Sequence, residues 1–569
     1  MPPGPLGARL ETRPVSWGEP VAPVDEGPRS RRDLRLNAAA FGLLLALTLV
    51  LQLSVGTYGT ERGHFSDEAG HFMNGLLIRD YLTEGLGENP IEFAQEYYLN
   101  YPKIAPGMWP PLYHGVLGLV LLPGWAPETA ALLLIALASA WTGWRLFRIL
   151  SYMTSRRLAF ALAALFLCAP VIVNISSAVM LDIVVAAFAL EATYWLALYV
   201  SSGNWRHAAL YGLFAAGGCL TKGNGLAILL LPALVALFAK RLDLFRRPGF
   251  YLAAAIVLVV AAPLCVMSAY FDATIGDFRM TTWADVVARA SFYSRYLSVQ
   301  LGLPFLAIAG LGLIVGIASP RVNGRPGAAL APSLAALVVA AALFHLLNPH
   351  TVYTGRYMTL AVAPLFGLLP SGFGTLLGAI RSARWRNAGR VALVGGLIWN
   401  AFLVAPVLAI RRPLGFRDAV TFLEAKTGLA GHRFLVVSDE NGEGAFVAEI
   451  AQHHPAPAAT VLRASKIMAS DGWSGEHFTL RYDSAAALMK ELEDLHVEYL
   501  AVDESLAVGD HPLWGPTRAL LETQTDRFEQ THVAQGTRRV VLYRLKYQSP
   551  GPPASPKMTI SSPLGGWKR

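Results

Sequence analysis

Charged residues are scarce in this chain of 569 residues: Asp, Glu, Lys and Arg make up 15% of it, against 54% hydrophobic residues. With a mean hydropathy of +0.42, that balance excludes an ordinary soluble enzyme of this length and makes lipid the solvent for much of the chain. Cysteine is rarer still. Cys168, Cys219 and Cys265 all fall inside apolar stretches, so no disulfide framework and no zinc-ligand spacing is present. Internal repeats are also lacking. Acidic charge is in deficit, which leaves a formal net charge of +8. The basic residues gather in short clusters between apolar runs, as cytoplasmic loops of membrane proteins do, so no nucleic-acid partner is expected.

What the sequence has in abundance is apolar length. Stretches near 38–58, 128–148, 158–176, 178–200, 207–221, 222–239, 250–270, 300–318, 330–347, 356–379 and 391–410 read as about eleven spans, with thirteen left open. The first would reach roughly 31 Å as a helix, the thickness of a bilayer core. Residues 1–37, rich in Pro, Gly and Arg, read as a disordered cytoplasmic tail. They are not read as a signal peptide, because the apolar stretch after them starts too late and is too long. The clusters Arg145/Arg148/Arg156/Arg157, Lys240/Arg241/Arg246/Arg247, Arg321/Arg325 and Arg381/Arg384/Arg386/Arg390 are expected on the cytoplasmic side. Counting between them puts 59–110, 271–299, 348–355 and everything after 411 on the opposite side. Residues 111–123 are apolar but too short to span, and are read as re-entrant or interfacial.

After residue 411 the pattern changes to soluble α/β: strands near 434–437, 497–502 and 539–545, helices near 445–451 and 485–495, and a disordered tail over 548–569. The expected organisation is therefore a polytopic α-helical membrane domain over 38–410 with an outer catalytic loop at 59–110, and an extracytoplasmic α/β domain over 411–547. In that domain the loop from Val437 to Gly444 reads as a simple turn in preference to an anion site. Trp473, in the stretch from Ser470 to Gly475, reads as loop packing in preference to a sugar platform.

The sharpest chemical signal lies in the first outer loop, His64-Phe65-Ser66-Asp67-Glu68-Ala69-Gly70-His71-Phe72, followed by an amphipathic stretch to Tyr81. Charge at a membrane face can be merely solvated, but two carboxylates and two histidines there form a functional-site candidate. Adjacent side chains do not share a helical face, so Asp67 and Glu68 are expected to divide the work: one faces the reacting centre and one orients the loop.

The loop and four further stretches resemble the membrane-embedded glycosyltransferases of the protein O-mannosyltransferase superfamily, including the bacterial lipid A aminoarabinose transferases. These stretches are Tyr101-Pro102-Lys103 through Trp109-Pro110-Pro111-Leu112-Tyr113-His114; Met180-Leu181-Asp182; Leu220-Thr221-Lys222-Gly223; and Arg356-Tyr357 with Pro364 behind it. Their order over about 350 residues carries the resemblance. It implies a GT-C-like fold and inverting transfer of a sugar from a polyprenyl-phosphate carrier to a lipid, glycan or protein acceptor on the non-cytoplasmic side of a bacterial inner membrane. It also implies that Asp67 is the general base. No cofactor is required, although a divalent metal is left open.

A leaving lipid phosphate calls for cations. Lys222, Arg356, Lys103 and Arg295 are the candidates, with Arg279 and Arg289 also in outer loops; snorkelling is the alternative for Lys222 and surface charge for the loop arginines. Arg356 is favoured by its cluster with Tyr353, Tyr357 and His350. Asp182 stands evenly between substrate contact and helix positioning. His71 and His114 read as substrate-binding or packing residues in preference to metal ligands, and Tyr357 as substrate-binding. The competing function is a transporter or lipid flippase. That reading expects paired broken helices or a repeat and mid-span ionisable residues, and Glu191 is the clearest of the last. A scaffold would leave the Asp67-Glu68 loop unexplained.

Overall fold

The computed structural model describes residues 31–275, 280–318, 327–349, 353–453, 458–470, 478–546 and 552–554. Residues 1–30, most of the C-terminal tail, Arg279, the Arg321/Arg325 cluster, His350 and Trp473 with its loop lie outside these. The first helix, α1 (Arg31–Ser54), starts earlier than the expected boundary at 38. Its polar first turns are tied down by an ion pair from Asp33 to Arg156, 2.8 Å long.

Three further helices build the first loop and its exit: α2 (Glu68–Thr83), α3 (Pro90–Asn100) and the short apolar α4 (Leu112–Leu121). The bundle continues with α5 (Pro127–Met153), α6 (Arg156–Leu167), α7 (Pro170–Ser176), α8 (Asp182–Ser202) and α9 (Trp205–Cys219). After α10 (Leu231–Phe238) come α11 (Pro248–Val260), α12 (Ala262–Ile275), α13 (Trp283–Leu301), α14 (Leu303–Ile317), α15 (Leu330–Leu347), α16 (Thr359–Leu377) and α17 (Ala383–Val404). Among the described residues six helices are long and apolar enough to cross a membrane, and nine segments are if each of three bent pairs is one span. The chain is an integral membrane protein.

Every expected apolar stretch corresponds to a helix, a bent pair or a 3-10 run leading into a helix; four are not single helices, of which α11–α12 bends by 51° and the other three have identifiable causes. The pair α6–α7 bends by 62° where Pro170 cannot continue the helix before it. Residues 222–239 are a 3-10 run over Gly223–Leu230 before α10; Gly225 lies so close to the Gly218 backbone that a Cβ would come within 2.2 Å of the Gly218 carbonyl oxygen. The stretch at 300–318 turns 115° between α13 and α14. There Gly302 has φ +81° and lies against Asn400, which donates to the Leu301 carbonyl at 2.6 Å. Only glycine adopts that backbone without strain and leaves room for the asparagine.

The last part is an α/β unit. Its five-stranded sheet has the order β2-β1-β5-β7-β6, with β1 (Arg433–Val437), β2 (Thr460–Arg463), β5 (Tyr499–Asp503), β6 (Phe528–Val533) and β7 (Val540–Leu545). A small hairpin-like pair, β3 (Ala469–Ser470) and β4 (Thr479–Leu480), stands apart. β1 is parallel to both neighbours, whereas β7 runs antiparallel to β5 and β6. Helices α18 (Phe416–Thr427) and α19 (Glu440–Ala451) precede and follow β1, and α20 (Ala464–Ile467), α21 (Ala485–Asp494) and α22 (Trp514–Thr523) complete the unit. The expected turn at 437–444 is shorter than anticipated: Asp439 caps α19 by accepting from the Gly442 N–H at 2.8 Å, so the glycines lie within the helix.

The first loop is clamped between bundle and domain. Glu61, fully buried, accepts the backbone N–H groups of Leu414, Gly415 and Arg417 at 2.7, 2.9 and 3.0 Å. These are orphan donors at the start of α18, where a carboxylate also meets the positive end of the helix dipole. Arg417 in turn pairs with Glu128 of α5 and with Glu449 of α19. Tyr101, Asn100 and Pro102 bond to Ala459, Thr460 and Arg463 of the domain.

Candidate active site

Asp67 and Glu68 sit at the N-terminus of α2 and point different ways, as their adjacency requires. Glu68 is fully buried; it accepts from the Val179 N–H at 3.2 Å and the His64 N–H at 3.1 Å, with Arg62 3.6 Å away. It pins the loop to the junction between α7 and α8. Asp67 occupies the N-cap position yet makes no capping bond. Its carboxylate, 15% exposed, instead pairs with the Arg356 guanidinium at the start of the α16 span. Burial pushes the Asp67 carboxyl up, but Arg356, Lys222 and Lys103 together outweigh it and hold the group below the usual carboxylate range.

The second pair lies beside the first. Lys222 Nζ donates to both carboxylate oxygens of Asp182 at 3.0 Å. Asp182 is the first residue of α8, so the condition for a favourable helix-dipole interaction is met. The Tyr357 ring joins the pairs: Lys222 Nζ is 5.2 Å and the Arg356 guanidinium 5.7 Å from its centre, both in cation–π range. Phe65 of the loop lies between two guanidiniums, Arg356 at 5.5 Å and Arg411 at 5.4 Å. His345, near the end of α15, stacks on Tyr357 with centroids 5.5 Å apart and planes 14° apart.

Lys103 approaches from the domain side. It is buried, donates to the Glu440 carbonyl at 3.4 Å, and packs so tightly on Gly444 that a Cβ there would come within 2.8 Å of its Cε. Burial and the Arg463 charge push the Lys103 ammonium down to about 8. His71 Nδ1 meets His114 Nε2 at 3.3 Å, and its ring packs 4.4 Å from that of Trp109. Burial, then His114, Lys222 and Arg356, hold His71 well below the usual imidazole range, so it is neutral. No group of three or more metal-ligating side chains occurs among the described residues.

Thus nine of the residues singled out from the sequence, Asp67, Glu68, His71, Lys103, His114, Asp182, Lys222, Arg356 and Tyr357, converge from the first loop, α4, α8, the run after α9 and α16. Arg295 does not join them: it is exposed on α13 and forms no ion pair among the described residues. Arg289 is a tether, donating to the Leu346 and Asn348 carbonyls. Sequence reasoning missed Glu61, Arg62, His345 and Arg411. A buried partner hundreds of residues away leaves no local signal, although Glu61 and Arg62 stand only a few residues before the recognised motif.

Around the two ion pairs five buried polar atoms have no hydrogen-bond partner among the described residues: Arg356 Nε, both ring nitrogens of His345, His71 Nε2 and the Tyr113 hydroxyl. Buried polar atoms are nearly always satisfied, so these five can take up hydrogen bonds from a polar group that enters between the ion pairs.

The bundle with its first-loop helices and appended domain has the GT-C fold of multispan membrane glycosyltransferases. The resemblance drawn from the motifs is borne out by a family model, described as dolichyl-phosphate-mannose-protein mannosyltransferase, that matches residues 110–267. Among solved structures the chain is similar to ArnT from Cupriavidus metallidurans in the apo state, at 14% identity and a TM-score of 0.56 over 90% of this chain and 98% of that one. The same protein bound to undecaprenyl phosphate superposes with a TM-score of 0.52, again at 14% identity, over 90% of this chain and 99% of that one. The apo oligosaccharyltransferase of Archaeoglobus fulgidus gives 0.56 at 12% identity, over 93% and 76% of the two chains. No curated protein sequence matches.

Proposed function

We propose that the chain transfers a sugar from a polyprenyl-phosphate donor to an acceptor hydroxyl, with inversion, at the membrane face that carries the first loop and the α/β domain. The observation that carries this reading is the convergence of one reachable carboxylate, Asp67, with three buried cations, Arg356, Lys222 and Lys103. It is supported by the fold shared with ArnT, one structure of which holds undecaprenyl phosphate.

The acceptor hydroxyl gives its proton to an Asp67 oxygen as its own oxygen forms the bond to the anomeric carbon. The bond from that carbon to the phosphate oxygen breaks, and the electron pair leaves on the lipid phosphate. No glycosyl-enzyme intermediate is required, so a single base suffices. Arg356, Lys222 and Lys103 stabilise the departing charge. Arg356 is held by Asp67 and Lys222 by Asp182. Phosphate would draw both cations away, and the loss of Arg356 restores basicity to Asp67 at the moment a base is needed. A transporter reading has less support: the described residues around Glu191 form a closed network with no free carboxylate.

The test is to extract lipids from the purified protein and identify them by mass spectrometry. A polyprenyl-phosphate sugar is expected from the wild type and is strongly depleted in Lys222→Ala and Arg356→Ala, since each lost cation costs about 2 to 4 kcal/mol of charge stabilisation. Equal lipid in all three would reduce both residues to structural cations. For the side of the membrane, reporter fusions at Gly389 and Asp418 are expected in opposite compartments; one shared compartment would contradict the placement.

A further inference from the structure

Asp182 and Lys222 raise a problem for any phosphate that binds here. Their bond is bidentate and buried, and Asp182 Oδ1 and Oδ2 are both engaged by the same ammonium. When a lipid phosphate recruits Lys222, Asp182 loses its counter-charge in a site only 2% exposed. A buried carboxylate left without a partner costs several kcal/mol, enough to cancel the gain from the phosphate. The exchange is feasible only if a second donor stands ready.

Tyr296, Arg356, Tyr357 and His345 all feel the Asp182 charge, and of these His345 is the buried ring whose two nitrogens are both uncommitted among the described residues. It is 3% exposed and faces the Tyr357 backbone, and among the described residues neither ring nitrogen has a hydrogen-bond partner within 3.5 Å. A neutral imidazole has one N–H donor and one acceptor, so leaving both unused in a buried place is costly unless the state in which they are used is functional. Its helix, α15, packs on α8, which begins with Asp182, and on the 3-10 run that follows Lys222. The charges of Asp182 and Lys222 both act on the ring. Stacking on Tyr357 sets the plane of the imidazole against a ring that both site cations also approach. Tyr293, 6.1 Å away, flanks it without offering a hydrogen bond to it.

We infer that His345 is the alternate partner of Asp182: as a lipid phosphate takes Lys222, the Asp182 carboxylate turns to accept the His345 ring N–H. The proton stays on the imidazole throughout; only hydrogen-bond partners change. His345 is a positioning residue, acting on the donor through Asp182. This rests on the proposed lipid-phosphate donor, and the probe is chosen to separate the two.

The experiment measures binding of undecaprenyl phosphate to the full-length protein in nanodiscs, with thermal unfolding recorded for each variant. His345→Phe keeps a ring on Tyr357 and removes both nitrogens. It is expected to weaken binding about tenfold or more, the scale of one buried carboxylate hydrogen bond. His345→Gln, which restores an N–H donor, should recover most of the affinity. In an Asp182→Asn background His345→Phe should cost less than about threefold, because no carboxylate then needs a partner, and that non-additivity is the signature of coupling. Wild-type affinity in His345→Phe would overturn the inference, and so would an undiminished loss in the Asp182→Asn background, which would make His345 a direct ligand contact or a packing group. If the wild type itself binds no undecaprenyl phosphate, the donor assignment falls; if it binds and the His345 variants match it, only the exchange does.

Discussion

Two buried ion pairs share the helix α8, and they are built in opposite ways. Glu191 accepts from Arg145 Nε at 2.6 Å, from Trp141 Nε1 at 2.7 Å and from Trp195 Nε1 at 3.2 Å. The Arg145 guanidinium is also covered by the Tyr194 ring at 4.2 Å and the Trp144 ring at 5.0 Å. Asp182 lies on the same helix, roughly 13 Å away by helical rise, and among the described residues hydrogen-bonds a single side chain, Lys222, with unpartnered polar atoms of Arg356, His71 and His345 nearby. Both pairs bury opposite charges in the bundle. The saturated one fixes helices α5 and α8 together; the other leaves polar atoms around it free for the partner exchange and ligand proposed above.

That contrast can be broken by mutation. Glu191→Gln leaves Arg145 buried without a carboxylate, and the expected cost is about 3 to 5 kcal/mol of stability, read as faster thermal inactivation in detergent. Transfer activity per folded molecule should stay near the wild-type value. Lost activity in a protein of unchanged stability would move Glu191 into the reaction and revive the transporter reading.

A smaller effect sharpens the other side of the contrast. Because burial and Arg463 bring Lys103 down to about 8, its charge is present below that pH and is lost as pH rises through it. The kcat/KM for the lipid donor, which reports groups of the free protein, is expected to fall above about pH 8. In Lys103→Arg, whose guanidinium does not deprotonate, that limb should vanish. An unchanged alkaline limb in this variant would exclude Lys103 as its origin.

Much of the membrane domain was legible because hydrophobic length is a local property. Each apolar stretch became a helix, a bent pair or a 3-10 run leading into a helix, and α2 follows the motif as the amphipathic pattern required. The bends were not legible in apolar length alone: 158–176 reads as one span, although Pro170 is a local cause for its 62° bend. The 115° turn at Gly302 depends on Asn400 from another helix, which no window around 302 contains. In the domain, β1, β5 and β7 are buried runs and stand out, whereas β6 (Phe528–Val533), an edge strand with mixed polarity and a register shift between Gln530 and His532, does not.

The site divides along the same line. Asp67, Lys103, Asp182, Lys222 and Arg356 carry motif signatures, and the structure brings them together. The pairing of Asp67 with Arg356 and of Lys222 with Asp182 was not read from the sequence, because it is set by how α2, α8 and α16 pack. Charges placed against the positive-inside trend were a useful guide for Arg356 and Lys222 and a poor one for Arg295, since that trend tells where a charge lies along the membrane normal and nothing about which helix face carries it.

The most direct test compares Asp67→Asn and Glu68→Gln in a membrane transfer assay that counts released polyprenyl phosphate. Asn keeps the shape of the side chain but cannot take the acceptor's proton, so Asp67→Asn is expected to lower turnover about 10² to 10⁴-fold while still binding donor. Glu68→Gln should lose less, through a loosened loop. Near-normal turnover in Asp67→Asn would contradict the account: with Glu68→Gln inactive the base would be Glu68, and with both active the first loop would not be the catalytic loop.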